Sequence, residues 1–75
     1  MSKADEMFDD LGYVKVHDED HIYYNNLNSG CTIEFNKVKK VIRSYDYETE
    51  VFGFGIELEE LQAINEKVKE LGWEV

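Results

Sequence analysis

Residues 31–36, Cys31-Thr32-Ile33-Glu34-Phe35-Asn36 (CTIEFN), decide the fold predicted for this chain. Apolar and polar side chains alternate here, as in a β-strand with one buried face, and Cys31, Ile33 and Phe35 are on that face. A turn-forming run, NNLNSG at 25–30, precedes the strand, and a second turn at 36–39 follows it. A strand between two short turns predicts an antiparallel hairpin on each side.

The segments on either side extend this hairpin pair into a meander over residues 13–55. Strands are predicted at 13–16, 22–24, 31–36, 41–45 and 51–54, with a turn at 46–50 before the last. Gly53 and Gly55 indicate a bulge or a close backbone approach in that last strand.

A helix is predicted at each end of the chain. In the first, residues 2–11, Ser2 is a candidate N-cap and Gly12 a left-handed C-terminal residue. Its apolar face is formed by Ala4, Met7, Phe8 and Leu11. In the second, residues 58–71, the apolar stripe is formed by Leu58, Leu61, Ile64, Val68 and Leu71. The charged residues of this helix are predicted to lie away from the stripe; they are Glu59, Glu60, Glu66, Lys67, Lys69 and Glu70.

These elements predict an α+β fold, with one domain over residues 1–75. One antiparallel sheet of four or five strands carries both helices on one face, and the other face is exposed or meets a partner. The predicted core consists of Phe8, Leu11, Ile33, Phe35, Val41, Leu58, Leu61, Ile64, Val68 and Leu71.

Charge is the strongest feature of the composition. Seventeen acidic and eight basic residues give a net charge of −9 on 75 residues. Such a surface repels nucleic acid and anionic membranes, and it attracts basic protein surfaces. The hydrophobic content of 43% argues against disorder. With one cysteine, no apolar N-terminal region and no long apolar run, we expect a cytoplasmic protein without disulfides.

The stretch HDEDH at 17–21 resembles a metal-binding motif at first sight. His17 and His21 have the i, i+4 spacing of a zinc-binding helix, but Asp18 stands where that motif has glutamate. The stretch also lies between two β-patterned runs. An acidic hairpin turn is therefore predicted, with the two histidines as weak metal candidates that could meet across the strands, and no metal is expected as a cofactor.

Enzymatic chemistry is not expected. Cys31 has no recognisable base and is placed inward on its strand, and the Gly-Phe-Gly at 53–55 matches neither the P-loop nor the dinucleotide fingerprint. We expect a protein without catalytic residues and without a cofactor.

A local basic cluster admits two interpretations. Lys37, Lys39, Lys40 and Arg43 lie on one turn and the strand after it. Nucleic-acid binders look like this locally, but lysines also protect exposed sheet edges. The acidic remainder of the chain favours edge protection.

The candidate partner-binding surface combines carboxylates with tyrosines. The acids form two groups, one at residues 5–20 and one at 46–60, and there are more aromatics than one thin core needs. Exposed tyrosine beside acids is typical of protein interfaces. The candidate residues are Asp18, Glu19, Asp20, Tyr23, Tyr24, Asp46, Tyr47 and Glu48.

Three stretches resemble a group of small acidic proteins encoded by phages and prophages of Gram-positive bacteria. They are MFDDLGY near the start, TIEFN before the lysine-rich turn, and LEELQAINEKVKELGW near the end. The resemblance covers nearly the whole chain, and its most specific part is residues 61–66 and 70–73. Proteins of this group often have Thr before the last helix, where this chain has Glu57.

The resemblance implies a genomic setting and a fold, and it transfers no functional residues. In that setting we expect an accessory protein that binds a basic host protein, in the manner of anti-CRISPR proteins, nuclease inhibitors or DNA mimics. Two alternatives stay open: a homodimeric structural or packing protein that uses the open sheet face, and a metal-binding regulator built on HDEDH.

Overall fold

The computed structural model describes residues 2–46 and 55–73 and has an α+β fold. Its elements in chain order are α1 (Lys3–Asp10), β1 (Tyr13–His17), β2 (His21–Asn26), β3 (Cys31–Asn36), β4 (Val41–Asp46) and α2 (Leu58–Glu70). The strands form one antiparallel sheet in the order β1-β2-β3-β4, with helices at both ends of the chain. The predicted four-stranded meander is confirmed. The proposed fifth strand at 51–54 lies outside the described residues.

Both predicted ends of α1 are confirmed. The Ser2 hydroxyl accepts a hydrogen bond from the backbone N–H of Asp5 at 3.1 Å, which satisfies one of the free donors of the first turn. Gly12 has a φ of 91°, a left-handed conformation that glycine adopts without steric cost. The chain therefore reverses after α1 and enters β1 directly, which places the helix against the sheet.

The two faces of the sheet follow from the strand register. Tyr24 pairs with Ile33 and Ile22 pairs with Phe35, so these side chains share one face. Both helices pack on that face, where Phe8 stacks on Tyr24 with ring centroids 3.8 Å apart. The buried core consists of Phe8, Tyr13, Ile22, Tyr24, Cys31, Ile33, Phe35, Ala63 and Ile64.

The buried side of α2 differs from the predicted stripe. Leu58 and Leu61 are 65% and 45% exposed, whereas Ala63, Ile64 and Lys67 are buried. The prediction of Leu58 and Leu61 as core residues was wrong, as was the placement of Lys67 on the exposed side. The helix is turned so that Lys67 faces α1, where it meets a carboxylate.

Val41 is a third core prediction that was wrong. It pairs with Asn36 on the face opposite the helices and is 37% exposed. The other predicted core residues are buried or half-buried and contact the cluster; they are Phe8, Leu11, Ile33, Phe35, Ile64, Val68 and Leu71.

The N-terminus of α2 is capped, although glutamate, here Glu57, is a poor N-cap residue. The backbone N–H of Glu57 donates to the carboxylate of Glu60 at 2.9 Å. The same carboxylate accepts a hydrogen bond from the Tyr13 hydroxyl. Glu60 therefore fixes the first turn of α2 and ties it to the start of β1.

Candidate partner-binding surfaces

The acidic turn at 18–20 is exposed and has a defined shape. The Asp18 carboxylate accepts hydrogen bonds from the backbone N–H groups of Asp20 and His21 at 2.9 and 2.8 Å. These bonds hold the pKa of Asp18 below its usual value, so the carboxylate is charged. The predicted hairpin turn is thus present, and the hydrogen bonds to Asp18 stabilise its conformation.

This acidic turn lies beside the lysine-rich turn between β3 and β4. The backbone N–H of Lys37 donates to the carbonyl of Asp20 at 2.8 Å, which joins the two turns at one end of the sheet. Lys39 and Lys40 are exposed in the same turn. The charges of this end are therefore mixed, which weakens its attraction for a basic surface.

Asp46 is at the other end of the sheet. It is the last residue of β4 and pairs with Cys31, whereas the acidic turn follows the end of β1 beside Asn36. A strand of six residues separates the two ends by about 17 Å. The structure therefore does not bring Asp46 together with Asp18, Glu19 and Asp20. Tyr47 and Glu48 lie outside the described residues.

The two candidate tyrosines of β2 point to opposite faces. Tyr24 is 1% exposed, stacks on Phe8, and donates a hydrogen bond from its hydroxyl to the Asp5 carboxylate at 2.6 Å. Its assignment to a partner-binding surface was therefore wrong, because period-two alternation admits only one of two adjacent tyrosines to an exposed face. Tyr23 is half-buried on the face without helices and stays a candidate.

The two histidines of HDEDH also point to opposite faces. His17 pairs with Ile22, whose side chain is in the core, while His21 shares the face of Tyr23 and stacks on its ring. The expectation that they could meet across the strands was wrong. The described residues contain no group of three or more His, Cys, Asp or Glu side chains placed to hold a metal ion.

Charged side chains also meet inside the molecule, between the helices and the sheet. The buried Lys67 Nζ lies 3.4 Å from the Asp5 carboxylate and 3.6 Å from that of Glu70. Asp5 also accepts from Lys15 at 2.9 Å and from Tyr24. This buried cluster joins α1, α2, β1 and β2, and its role is to hold these elements together.

The pKa of Asp5 reflects this environment. Burial of the carboxylate opposes its ionisation, but hydrogen bonds from Tyr24 and Lys15 and the charge of Lys67 outweigh that effect. They hold the pKa of Asp5 well below its usual range. Burial, together with the bond to Asp5, raises the pKa of the Tyr24 hydroxyl far above its ordinary value.

Two further features could serve ligand binding or chemistry, a groove beside α1 and the Cys31 thiol, but the groove is small and the thiol is buried. A groove of about 180 Å³ between α1 and the sheet is lined by Asp5, Phe8, Asp9, Tyr13, Val14, Lys15 and Tyr24. That volume is below the several hundred Å³ of most small-molecule sites. The thiol of Cys31 is buried, and its Sγ lies 3.5 Å from the Ser44 hydroxyl.

Acidic residues from both groups identified in the sequence, 5–20 and 46–60, lie at one end of the molecule. The hydroxyl of Tyr13 contacts Glu60, so the start of α2 lies beside the end of α1. Asp46 lies at the same end of the sheet, because in the strand register Tyr13 pairs with Asn26 at the end of β2 and Asp46 pairs with Cys31 at the start of β3. We call this the acidic end; its acids are Asp9, Asp10, Asp46, Glu57 and Glu59. Within residues 2–46 and 55–73, the lysines and Arg43 belong to other parts of the fold.

The sheet face without helices is the second candidate surface. Val14 and Val16 on β1 are each 51% exposed, and Tyr23, Arg43 and Tyr45 follow across the sheet. Beneath them β3 is buried, including its polar residues Thr32, Glu34 and Asn36. We call this surface the open face.

Comparison with protein-family models, with curated proteins and with solved structures found no match for this chain. Within its described residues, neither helix has the length and apolar character needed to cross a membrane.

Proposed function

We propose that this protein is a non-catalytic module that binds a basic surface of another protein through its acidic end. The observation that carries the proposal is the collection of exposed carboxylates from the end of α1 and the start of α2, with the half-buried Asp46 of β4, at one end of the molecule. The resemblance in sequence favours a bacterial host protein as the partner, such as a nucleic-acid enzyme whose substrate groove is basic.

The location differs from the one expected from the sequence. Asp18, Glu19 and Asp20 share their end of the sheet with a lysine-rich turn, so their field is partly cancelled at short range. The carboxylates of the acidic end reinforce one another, because charges of one sign within about 10 Å add up before salt screens them. Such a field speeds association with a basic partner and orients it.

Two triple variants with the same change of net charge separate these locations. Asp9→Asn/Asp10→Asn/Glu59→Gln neutralises the acidic end, and Asp18→Asn/Glu19→Gln/Asp20→Asn neutralises the acidic turn. The second variant keeps a side-chain oxygen at position 18 to accept the two backbone hydrogen bonds. A circular dichroism spectrum like that of the wild type and a cooperative thermal unfolding transition would establish that each variant folds.

The experiment begins with capture of a partner by the tagged wild-type protein from a Gram-positive bacterial lysate at low and high salt. The captured protein is then purified, and its affinity is measured for the wild type and both triple variants. We expect the acidic-end variant to bind about tenfold or more weakly at low salt, at about 0.5 kcal/mol per carboxylate, and the turn variant to bind like the wild type. Equal affinity of all three proteins, or binding insensitive to salt, would overturn the proposal.

A further inference from the structure

The open face carries two complementary charges that the chain does not pair with each other. Glu34 and Arg43 are cross-strand partners in the β3–β4 register and share this face. The basic side chain nearest to the Glu34 carboxylate within the described residues is His21, whose Nε2 lies 3.7 Å away. Within the described residues, the guanidinium of Arg43 is exposed and makes no ion pair.

Glu34 occupies an unusual position for an acid. Its side chain is 9% exposed in the centre of the sheet, and within the described residues its ion-pair partner is the ring of His21. The half-exposed valines and the half-buried tyrosines of the open face surround it. A partner that covers this face removes the remaining water from Glu34, so a cation brought by that partner would offset the desolvation of the carboxylate.

We propose that the occupant of the open face is a second copy of this chain, in a two-fold dimer in which Arg43 of each copy pairs with Glu34 of the other. A two-fold interface brings identical patches together, so a patch that carries both an acid and a base complements itself. Two sheets that pack face to face lie about 10 Å apart, a distance that an extended arginine side chain spans. The aliphatic and aromatic side chains around the pair then fill the interface.

The area of the open face suits a weak dimer. Four strands spaced about 4.8 Å apart, with about 3.3 Å per residue, present a flat face of about 350 Å². With side-chain relief this becomes about 500 Å² of accessible surface per copy, or about 1,000 Å² in total. That total is the lower limit of specific interfaces, so we expect dissociation constants in the micromolar to sub-millimolar range.

The net charge of the chain sets the salt dependence of this dimer. Two copies with a net charge of −9 each repel one another, although Glu34 and Arg43 are balanced at the contact itself. Added salt screens the long-range repulsion more than the desolvated pair. The dimer should therefore strengthen with salt, whereas binding of a basic partner to the acidic end should weaken.

A charge-swap experiment tests the proposal by sedimentation equilibrium at several concentrations up to about 1 mM, a range set by the expected affinity. Arg43→Glu places two acids opposite each other in the dimer, and Glu34→Lys places two bases opposite each other. We expect each variant alone to be monomeric. An equimolar mixture should restore the dimer, because each acid then meets a base across the interface. Lys39→Glu and Glu19→Lys make the same charge changes at exposed turn positions and should leave self-association unchanged.

A third variant covers the possibility that Glu34→Lys does not fold. Val14→Asp introduces a charge at a half-exposed position of the open face, where the monomer tolerates it, and should abolish the dimer. A wild-type protein that stays monomeric at about 1 mM and high salt would overturn the proposal. So would a dimer that survives Arg43→Glu and Val14→Asp, because its interface would lie elsewhere, at a sheet edge for example. Neither result bears on partner binding at the acidic end.

Discussion

At the scale of single residues, Asp5 does the most to join the elements. Its carboxylate lies in the first turn of α1, where the helix dipole favours it, and it contacts Lys15, Tyr24 and Lys67 from three other elements. Buried charges of this kind stabilise a fold only when their partners are complete. Removal of Asp5 would leave the ammonium group of Lys67 with Glu70 alone.

We predict that Asp5→Asn lowers the free energy of unfolding by about 2–3 kcal/mol at neutral pH, because it leaves a buried ammonium group poorly paired. The folded-state pKa of Asp5 is lowered, so its stabilising effect is present above the unfolded pKa of about 3.9 and is lost as pH falls through the folded value. The difference between variant and wild type should therefore shrink below about pH 4.

Urea denaturation at several pH values measures this difference. Asp9→Asn is the matched control, because Asp9 is exposed on the same helix and should change stability by less than about 0.5 kcal/mol. A constant difference between Asp5→Asn and the wild type from pH 7 to pH 2 would show that the charge of Asp5 is not what stabilises the fold.

At the scale of elements, the three hairpin connections share one hydrogen-bonding pattern. The side-chain oxygens of Asp18, Asn26 and Asn36 each accept hydrogen bonds from the backbone N–H groups two and three residues later. These short loops satisfy their own backbone donors in this way, and the strand register is fixed as a result. The turn-forming residues made all three turns predictable from the sequence.

We predict that Asn36→Ala lowers the free energy of unfolding by about 1–2 kcal/mol, because the backbone N–H groups of Val38 and Lys39 lose their acceptor. Asn26→Ala should cost more, since the Asn26 amide also donates to the carbonyl of Leu11 at 3.2 Å. Asn36→Asp keeps an acceptor oxygen and serves as the control in urea denaturation. Equal losses for Asn36→Ala and Asn36→Asp would exclude the turn hydrogen bonds as the cause.

The sequence did not allow the buried side of α2 to be predicted correctly. Leu58 and Leu61 continue the spacing of Ile64 and Val68, so a stripe drawn by hydrophobicity includes them. The structure instead turns the helix so that Lys67 reaches Asp5, a contact between residues that are 62 positions apart. Helix periodicity contains no information about such a partner. For the same reason, the acidic end could not be foreseen: it depends on the antiparallel packing of α1 and α2.

We predict that Ile64→Ala lowers the free energy of unfolding by about 2–4 kcal/mol, because Ile64 is 8% exposed within the core. Leu58→Ala should change it by less than about 0.5 kcal/mol, because most of the Leu58 side chain is already exposed to water. Thermal unfolding of both variants measures the contrast. Similar losses at the two positions would support the stripe drawn from the sequence over the observed orientation.

At the scale of the whole molecule, charge is distributed unequally between the two ends of the sheet. One end holds the acidic turn together with lysines, and the other holds the carboxylates of the acidic end. Asp9 and Asp10 are also in the last turn of α1, where the negative end of the helix dipole opposes them and where no basic residue compensates. The acidic end therefore costs stability, a cost that the proposed binding role would explain.

The unequal charge of the two ends predicts different effects on thermal stability for two variants with the same change of net charge. Asp9→Asn/Asp10→Asn should raise the midpoint of thermal unfolding by about 2–5 °C at low salt, since it removes repulsion and an unfavourable dipole contact worth about 0.5–1 kcal/mol. Asp18→Asn/Asp20→Asn should leave the midpoint unchanged or lower it, because these carboxylates lie beside Lys37 and its neighbours. At about 1 M NaCl, where charges are screened beyond about 3 Å, the gain of the first variant should shrink to the smaller part that is independent of salt. Equal midpoints for the two variants at low salt would mean that the carboxylates of the two ends experience the same field, and the acidic end would then lose its distinction as a binding surface.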